Sequence, residues 1–189
     1  MNLILVCASH ALPLPQILFK NRFKNDNGSN CLLSIDGADF KIPNHGRKYY
    51  SHKFKGSGLR YEVGLSIQKG DICWIFGPFK CGQFTDLMIF RMGLKKELGR
   101  GEKVIADGIY GAEAPLKVRA PGTIFSKPLE ERVRAWHEHC NRRMKQWAIL
   151  RHEFRHGLTH HESVFCAIAV MTQLCIQNGE PLATVSYKE

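Results

Sequence analysis

A strict alternation of apolar and polar residues over positions 59–68 is the feature that most constrains how this chain folds. Its apolar members are Leu59, Tyr61, Val63, Leu65 and Ile67. A two-residue period is typical of a β-strand with one buried face. Residues 69–71 (KGD) predict a turn, the apolar run 72–76 (ICWIF) predicts a second strand, and Gly77-Pro78 predicts its end. The two strands together predict an antiparallel hairpin.

Further strands and helices are predicted around this hairpin. Buried-strand patterns cover 31–35, stopping at Asp36-Gly37, and 104–106, stopping at Asp107. Helix patterns begin near residues 85, 126 and 161, and Trp74, Trp136 and Trp147 are predicted to be in the core. This order predicts an α/β fold, a mixed sheet flanked by helices. Residues 1–30 are expected to be an irregular segment, and residues 31–189 one domain.

The charge and the cysteines limit the classes of partner and compartment. A net charge of +10 favours a polyanionic partner, nucleic acid before membrane lipid, although a basic protein without such a partner stays an alternative. The seven cysteines include no C-x-x-C pair, which is typical of a reduced, intracellular protein. We therefore expect a nuclear or cytoplasmic protein, and the apolar runs are too short to predict a membrane partner.

Three acidic residues are candidates for one metal site. Asp36 and Asp107 follow predicted strands, and open α/β sheets place their sites at such strand ends. Glu138 lies in a basic helical stretch. Carboxylates are the ligands that Mg²⁺ and Mn²⁺ prefer, and two such ions stabilise in-line displacement at phosphorus. The alternatives are Asp-Gly turns for the aspartates and a solvated, arginine-paired residue for Glu138.

Basic and polar residues near these carboxylates are candidate phosphate contacts. Singly, each is as well explained by a solvated surface charge, but as a set they favour DNA as the partner. The set comprises Lys53, Lys55, Arg134, Asn141, Arg142 and Lys145, with Arg60 and Arg143 beside them.

The segment 152–156 (HEFRH) suggests a different function, because H-E-x-x-H on a helix is the zinc site of metalloproteases. Gly157 follows directly, where such a helix continues, and Thr159 stands where the extended motif needs glycine. A zinc protease is therefore a remote alternative.

An ordered set of segments resembles the catalytic domain of DDE-superfamily transposases, the Harbinger-like endonuclease group. In chain order the segments are SIDGADF, the hairpin region 50–79, TDLMIFR, EKVIADGIYG, HEHCNRRMKQW and FRHGLTHHESVFCAIAVMTQLCIQNGEPL. They span about residues 32–185. The resemblance implies an RNase H-like fold whose first three strands are antiparallel.

The same resemblance implies a function and its residues. It implies DNA cleavage and strand transfer with Mg²⁺ or Mn²⁺, with two ions expected, and Asp36, Asp107 and Glu138 as the three ligands. Asp86 matches a recurrent family aspartate but ranks below these three. The family often has Lys-Gly-Tyr after its second aspartate, whereas residues 108–110 are Gly-Ile-Tyr.

A second departure concerns the amino terminus. Full-length relatives have a helix-turn-helix-type region upstream, which residues 1–30 do not supply. We therefore expect an isolated catalytic domain that relies on a separate DNA-binding protein. A homo-oligomer and a monomer both stay alternatives. The alternative is a domesticated module that binds DNA or protein without cutting.

Overall fold

The structure is a computed structural model that describes residues 17–23, 31–67, 69–107, 110, 113, 118–119 and 127–182, with side chains from residue 134 in the last range. The strands are β1 (Cys31–Lys41), β2 (Tyr50–Ser51), β3 (Gly56–Ser66), β4 (Ile72–Lys80), β5 (Lys103–Ile105) and β6 (Val118–Arg119). The helices are α1 (Asp86–Met92), α2 (Leu94–Glu97), α3 (Lys127–Met144), α4 (Ala148–Arg151) and α5 (His161–Gln177). Short 3₁₀ turns cover Phe19–Phe23, Arg47–Tyr49 and Leu158–His160.

One mixed sheet organises these elements. Its strand order is β2-β3-β1-β5-β6, and β4 pairs with β3. The pairs β1–β3, β3–β4 and β2–β3 are antiparallel, while β1–β5 and β5–β6 are parallel. The predicted α/β class, mixed sheet and hairpin are therefore confirmed. β1 is the central strand, where the antiparallel and parallel parts of the sheet meet.

Two strands are longer than predicted. β1 continues through Asp36 and Gly37 to Lys41, so Asp36 lies inside a strand and the predicted strand end is wrong. β4 likewise continues through Gly77 and Pro78 to Lys80. The register places Arg60 opposite Phe79 and Glu62 opposite Phe76, which adds one residue to β4 as a bulge. Bulges and edge strands tolerate proline because its missing N–H leaves no ladder bond unmade.

Hydrophobic clusters cover both faces of the sheet. On one face, Ala38 and Phe40 of β1 pack with residues of α3, α4 and α5. On the other, Leu33 and Ile35 pack with residues of α1 and α2. Because side chains alternate along a strand, Ser34, Asp36, Ala38 and Phe40 share the α3 side, whereas Gly37 and Asp39 share the α1 side.

Residues 17–23 pack against the sheet. The ring of Phe19 meets Trp74 edge-on, with 5.5 Å between ring centroids. Arg22 forms a buried bidentate ion pair with Glu102, with Nε–Oε1 and Nη2–Oε2 distances of 2.6 and 3.0 Å. Part of the segment that was predicted to be irregular therefore contributes to the folded domain. No described helix is both long enough and apolar enough to cross a membrane.

The aromatic cluster that joins α5 to the sheet gives a stability prediction. Phe165 is fully buried and stacks on Tyr61 with 3.8 Å between ring centroids. We expect Phe165→Ala to lower the free energy of unfolding by about 3–5 kcal/mol, because it removes a large buried ring and leaves a cavity. Chemical denaturation measures the change. The neighbouring exposed Cys166→Ala is the control, expected to change stability by less than about 0.5 kcal/mol. Equal effects of the two substitutions would contradict this assignment of the core.

Candidate active site

The two candidate aspartates lie near each other: Asp36 is inside β1, and Asp107 stands two residues after the end of the parallel neighbour β5. The register pairs Ser34 of β1 with Ile105 of β5. Two residues further along each strand direction stand Asp36 and Asp107, and neighbouring strands are about 4.8 Å apart. Alternation from Ser34 and Ile105 places both aspartates on the α3 side of the sheet. The structure thus brings together two carboxylates that are 71 positions apart in the sequence.

The surroundings of Asp36 disfavour its negative charge and would favour a bound cation. Partial burial raises its pKa above the ordinary value, and the charges of Asp107 and Asp39 raise it further. The ammonium of Lys53 and a hydrogen bond that the Gly37 N–H donates to Asp36 Oδ1 at 2.8 Å act in the opposite direction. Because burial and the neighbouring carboxylates outweigh these contacts, a bound cation would be favoured here.

Lys53 is a candidate phosphate contact whose charge acts on Asp36 and whose ammonium forms a defined hydrogen bond. Its Nζ donates a hydrogen bond to the backbone carbonyl of Gly37 at 2.6 Å. That bond places the ammonium next to Asp36, and its charge also acts on Asp39 and Asp86. Two of its three N–H donors are left for other acceptors, which suits a residue that holds both the strand and a substrate phosphate.

Arg60 has a structural role instead of the predicted phosphate contact. Its Nε and Nη2 donate to the two carboxylate oxygens of Asp39 at 2.7 and 2.9 Å. Its Nη1 lies 3.3 Å from Asp86 Oδ1. Burial alone would raise the pKa of Asp39, but the bonds from Arg60 and from the Ser51 hydroxyl outweigh it and lower that pKa. The guanidinium is therefore used to hold β1, β3 and α1 together.

Asp86 lies in the first turn of α1 and is not its N-cap residue. Thr85 is the N-cap residue, and its hydroxyl accepts a hydrogen bond from the Met88 N–H at 3.3 Å. Asp86 points at the sheet, where a Cβ on Gly37 would lie only 2.0 Å from its Oδ1. Glycine at position 37 is therefore required by the side chain of Asp86, and a turn does not explain it.

A buried acidic cluster that the sequence did not reveal lies on the α1 side of the sheet. Glu62 is 1% exposed, accepts a hydrogen bond from Trp74 Nε1 at 2.9 Å, and stands opposite Gly37. Burial raises its pKa to about 8, and the charge of Asp86 adds to the effect. Glu62 is therefore protonated at neutral pH. The buried phenol of Tyr110 packs edge-on against Phe90 of α1, and the charges of Asp86, Glu62, Asp36 and Asp107 all help to raise its pKa.

Glu138 shares one flank of α3 with Arg134 and Asn141, and Lys145 follows on the same line after the helix. Residues 134, 138, 141 and 145 follow helical spacing and share one flank. The Lys145 N–H continues the helical bonding to Asn141 at 3.0 Å, and the Lys145 charge acts on Asp36 and Asp39. Glu138 itself is exposed. The opposite flank faces α5, since Arg143 donates to the carbonyls of Glu180 and Pro181 beyond that helix.

The residues present fit a divalent cation to different degrees. Asp36 and Asp107 offer hard oxygen ligands in a partly desolvated, mutually repelling pair, which Mg²⁺ or Mn²⁺ would neutralise. Within the described ranges, no three or more Asp, Glu, His or Cys side chains form a group ready to hold a metal ion. Glu138 is exposed on α3 and is not part of such a group.

The other candidate phosphate contacts lie in separate places. Arg134 is exposed and Asn141 half-buried on the flank of Glu138. Lys55 lines a cavity at the β2–β3 turn. Arg142 and Arg143 instead line a groove of about 630 Å³ between α3, α4 and α5, together with Trp147. Trp147 is 45% exposed, so its predicted core position is wrong: it follows the end of α3, where the helical stripe no longer applies.

The HEFRH segment lacks the geometry of a zinc protease. α4 ends at Arg151, and residues 152–156 form no helix. His152 and His156 are therefore not one helical turn apart on one face, as the motif requires. Phe154 between them is buried, and its N–H bonds to the Lys41 carbonyl at 3.0 Å. This segment anchors the chain to the end of β1.

Comparison with known proteins adds no identification: neither a protein-family model nor a curated protein sequence matches the chain.

The protonated state of Glu62 gives a pH prediction. The folded-state pKa of about 8 is higher than the ordinary value of 4.5, so the unfolded chain loses this proton first as the pH rises. The contribution of Glu62 to stability is therefore full below pH 4.5 and is lost as the pH rises toward about 8. We expect Glu62→Gln to gain stability relative to the parent across this window, approaching ~5 kcal/mol.

Denaturant unfolding of both proteins at several pH values measures this difference. Burial lowers the pKa of His137 and His161 to about 4, so both histidines destabilise the fold as the pH falls through 6.5. Because parent and variant share these histidines, their titration cancels in the difference. A difference that does not change with pH would show that Glu62 is ionised in the folded protein.

Proposed function

We propose that this chain is a divalent-metal-dependent nuclease of the transposase type, which cleaves a DNA phosphodiester and transfers strands. The observation that carries the proposal is the proximity of Asp36, partly buried inside β1, to Asp107 just after the parallel strand β5, with Lys53 beside Asp36. The resemblance to Harbinger-like DDE endonucleases assigns the same two residues. We further propose an RNase H-like fold, supported by three antiparallel strands joined to parallel β5 and β6 with helices on both faces.

The chain's own residues have distinct roles in the proposed reaction. Asp36 and Asp107 hold the cation from the rigid sheet, and Glu138 completes the ligand set from α3. Lys53 and Lys145 supply positive charge beside the aspartates, where substrate phosphates would lie. When bound, Mg²⁺ or Mn²⁺ would stabilise the charge that develops on the reacting phosphate.

The bonds made and broken follow from the substrate. A water oxygen in cleavage, or a 3′-hydroxyl oxygen in strand transfer, forms a new bond to phosphorus. The bond from phosphorus to the leaving oxygen breaks, the nucleophile's proton passes to solvent, and the leaving oxygen takes up a proton from solvent. DNA is the proposed partner, with a separate DNA-binding protein to select the target site and the nucleus as the place of action.

Substitution of the aspartate pair tests the proposal. We expect the purified chain to nick supercoiled plasmid in Mg²⁺ or Mn²⁺, and Asp107→Asn and Asp36→Asn to lower the rate by at least about 100-fold, because each removes a charged ligand. Glu97→Gln, an exposed carboxylate on α2, is the control and is expected to cut like the parent. Circular dichroism of every variant verifies folding.

Three outcomes separate the alternatives. If Asp107→Asn cuts as well as the parent, the assignment of the pair is wrong. If the parent binds DNA but does not cut it with either metal, the non-cutting binding module is the better description. If Glu138→Gln alone cuts like the parent, the third ligand is a different residue while the aspartate pair stands.

A further inference from the structure

The segment 40–61 is the most one-sidedly charged part of the chain. It contains no aspartate or glutamate, and its cations are Lys41, Arg47, Lys48, Lys53, Lys55 and Arg60. Aromatic residues are interleaved with these charges, among them Tyr49, Tyr50 and Phe54. Only Arg60 is committed to buried carboxylates, so the remaining cations are free to form an external surface.

The structure folds this segment into two cavities that share one wall. The first, of about 560 Å³, is lined by Lys41, Arg47, Tyr50 and Lys55 among others. The second, of about 570 Å³, is lined by Arg47, Lys48, Tyr50, His52 and Gln83 with Gly82. Arg47 and Tyr50 belong to both linings and therefore stand between the two cavities. We call this surface the Tyr50 saddle.

The ring of Tyr50 is available to a ligand. The residue is 40% exposed, at the start of the edge strand β2. Its ring is held edge-on against His52, with 5.2 Å between centroids and an interplanar angle of 87°. An exposed aromatic ring with a fixed orientation is a suitable platform for stacking a nucleobase.

The charges around the ring are uncompensated. Among described residues, Arg47, Lys48 and Lys55 form no ion pair at 4.0 Å or less. Glu153 is the one carboxylate in the described lining of either cavity, and it lies 3.8 Å from Arg155. A surface with this excess of cations on both sides of an aromatic ring is complementary to a nucleic-acid strand, with phosphates on the flanks and a base at the centre.

The Tyr50 saddle is connected to the aspartate pair through Lys53. Lys53, three residues after Tyr50, bonds to the Gly37 carbonyl beside Asp36. Three residues of chain span at most about 11 Å. A strand bound on the saddle is therefore within reach of the site at which the proposed reaction occurs.

We propose that the Tyr50 saddle binds a nucleic-acid strand flanking the reacting phosphate, with one unpaired base stacked on Tyr50 and neighbouring phosphates on Arg47, Lys48 and Lys55. The inference rests on the proposed function, because it takes nucleic acid as the substrate. It adds that the substrate is unpaired where it crosses this edge of the sheet.

Binding of fluorescent oligonucleotides in EDTA tests the saddle without any cleavage. Full-length protein is titrated with a single-stranded oligonucleotide and with a blunt duplex of the same sequence, at several KCl concentrations. We expect Tyr50→Ala to weaken single-strand binding about tenfold, because base–aromatic stacking is lost. Tyr50→Phe retains the ring and is expected to bind like the parent. The blunt duplex offers no unpaired base and is expected to be insensitive to Tyr50→Ala.

The charge contribution is tested with a matched pair of variants. Arg47→Gln is expected to weaken binding and to reduce the slope of log affinity against log salt by about 1, as for the loss of one phosphate contact. Lys96→Gln removes the same charge from exposed α2, on the other side of the sheet, and is expected to leave the slope unchanged.

Each contrary result overturns the inference. Single-strand binding that is the same for parent and Tyr50→Ala shows that no base stacks there. Equal effects of Arg47→Gln and Lys96→Gln show that only overall charge matters. Displacement of the oligonucleotide by polyglutamate at matched charge concentration assigns the surface to acidic polymers in general.

The same measurements separate this inference from the proposed function. If the parent does not cut DNA but single-strand binding depends on Tyr50 and Arg47, the saddle stands and the catalytic proposal fails. If Asp107→Asn abolishes cutting while Tyr50→Ala binds like the parent, the catalytic proposal stands and the saddle fails.

Discussion

The ion-pair network around Arg60 is the interaction on which the rest of the site depends. Asp36, Asp39, Glu62 and Asp86 all lie on or against two adjacent strands, and burying that many carboxylates is costly unless charge is compensated. Arg60 binds Asp39 through two hydrogen bonds and lies near Asp86. Burial raises the pKa of Glu62, so this carboxyl group is buried in its neutral form. Asp36 is left as the carboxylate of β1 without an arginine partner, on the face that α3 covers.

This division of charge explains why the two sides of β1 differ. On the α1 side, the carboxylates are either paired or protonated, which stabilises the sheet and leaves little affinity for an added cation. On the α3 side, the charges of Asp36 and Asp107 repel each other, and the charge of Lys53 acts on Asp36 in the opposite direction. The carboxylates on the α1 side of β1 therefore stabilise the sheet. On the α3 side, a bound cation would relieve the repulsion between Asp36 and Asp107.

The sequence predicted the elements whose signal is local. The alternation over 59–67 identified β3, and the helix predicted to begin near residue 85 is present as α1. It failed where a distant residue decides the outcome. Asp36-Gly37 resembles a turn, but Gly37 sits inside a strand because the side chain of Asp86 occupies its Cβ space. Gly77-Pro78 resembles a strand end, but a bulge in β4 absorbs both residues. The proximity of Asp36 and Asp107 depends on the pairing of β1 with β5, which no local pattern contains.

The contact between Gly37 and Asp86 also has a consequence for how this protein can evolve. A Gly37→Ala substitution would place the new Cβ against the carboxylate of Asp86. Replacing Asp86 first by a smaller residue would remove one ion-pair partner of Arg60 and leave a cavity beside β1. Each substitution alone is therefore expected to destabilise the fold. Positions 37 and 86, which are 49 residues apart, are expected to change together. In descendants of this chain, drift at either position is expected to be slow and correlated, even though only one of the two has a side chain.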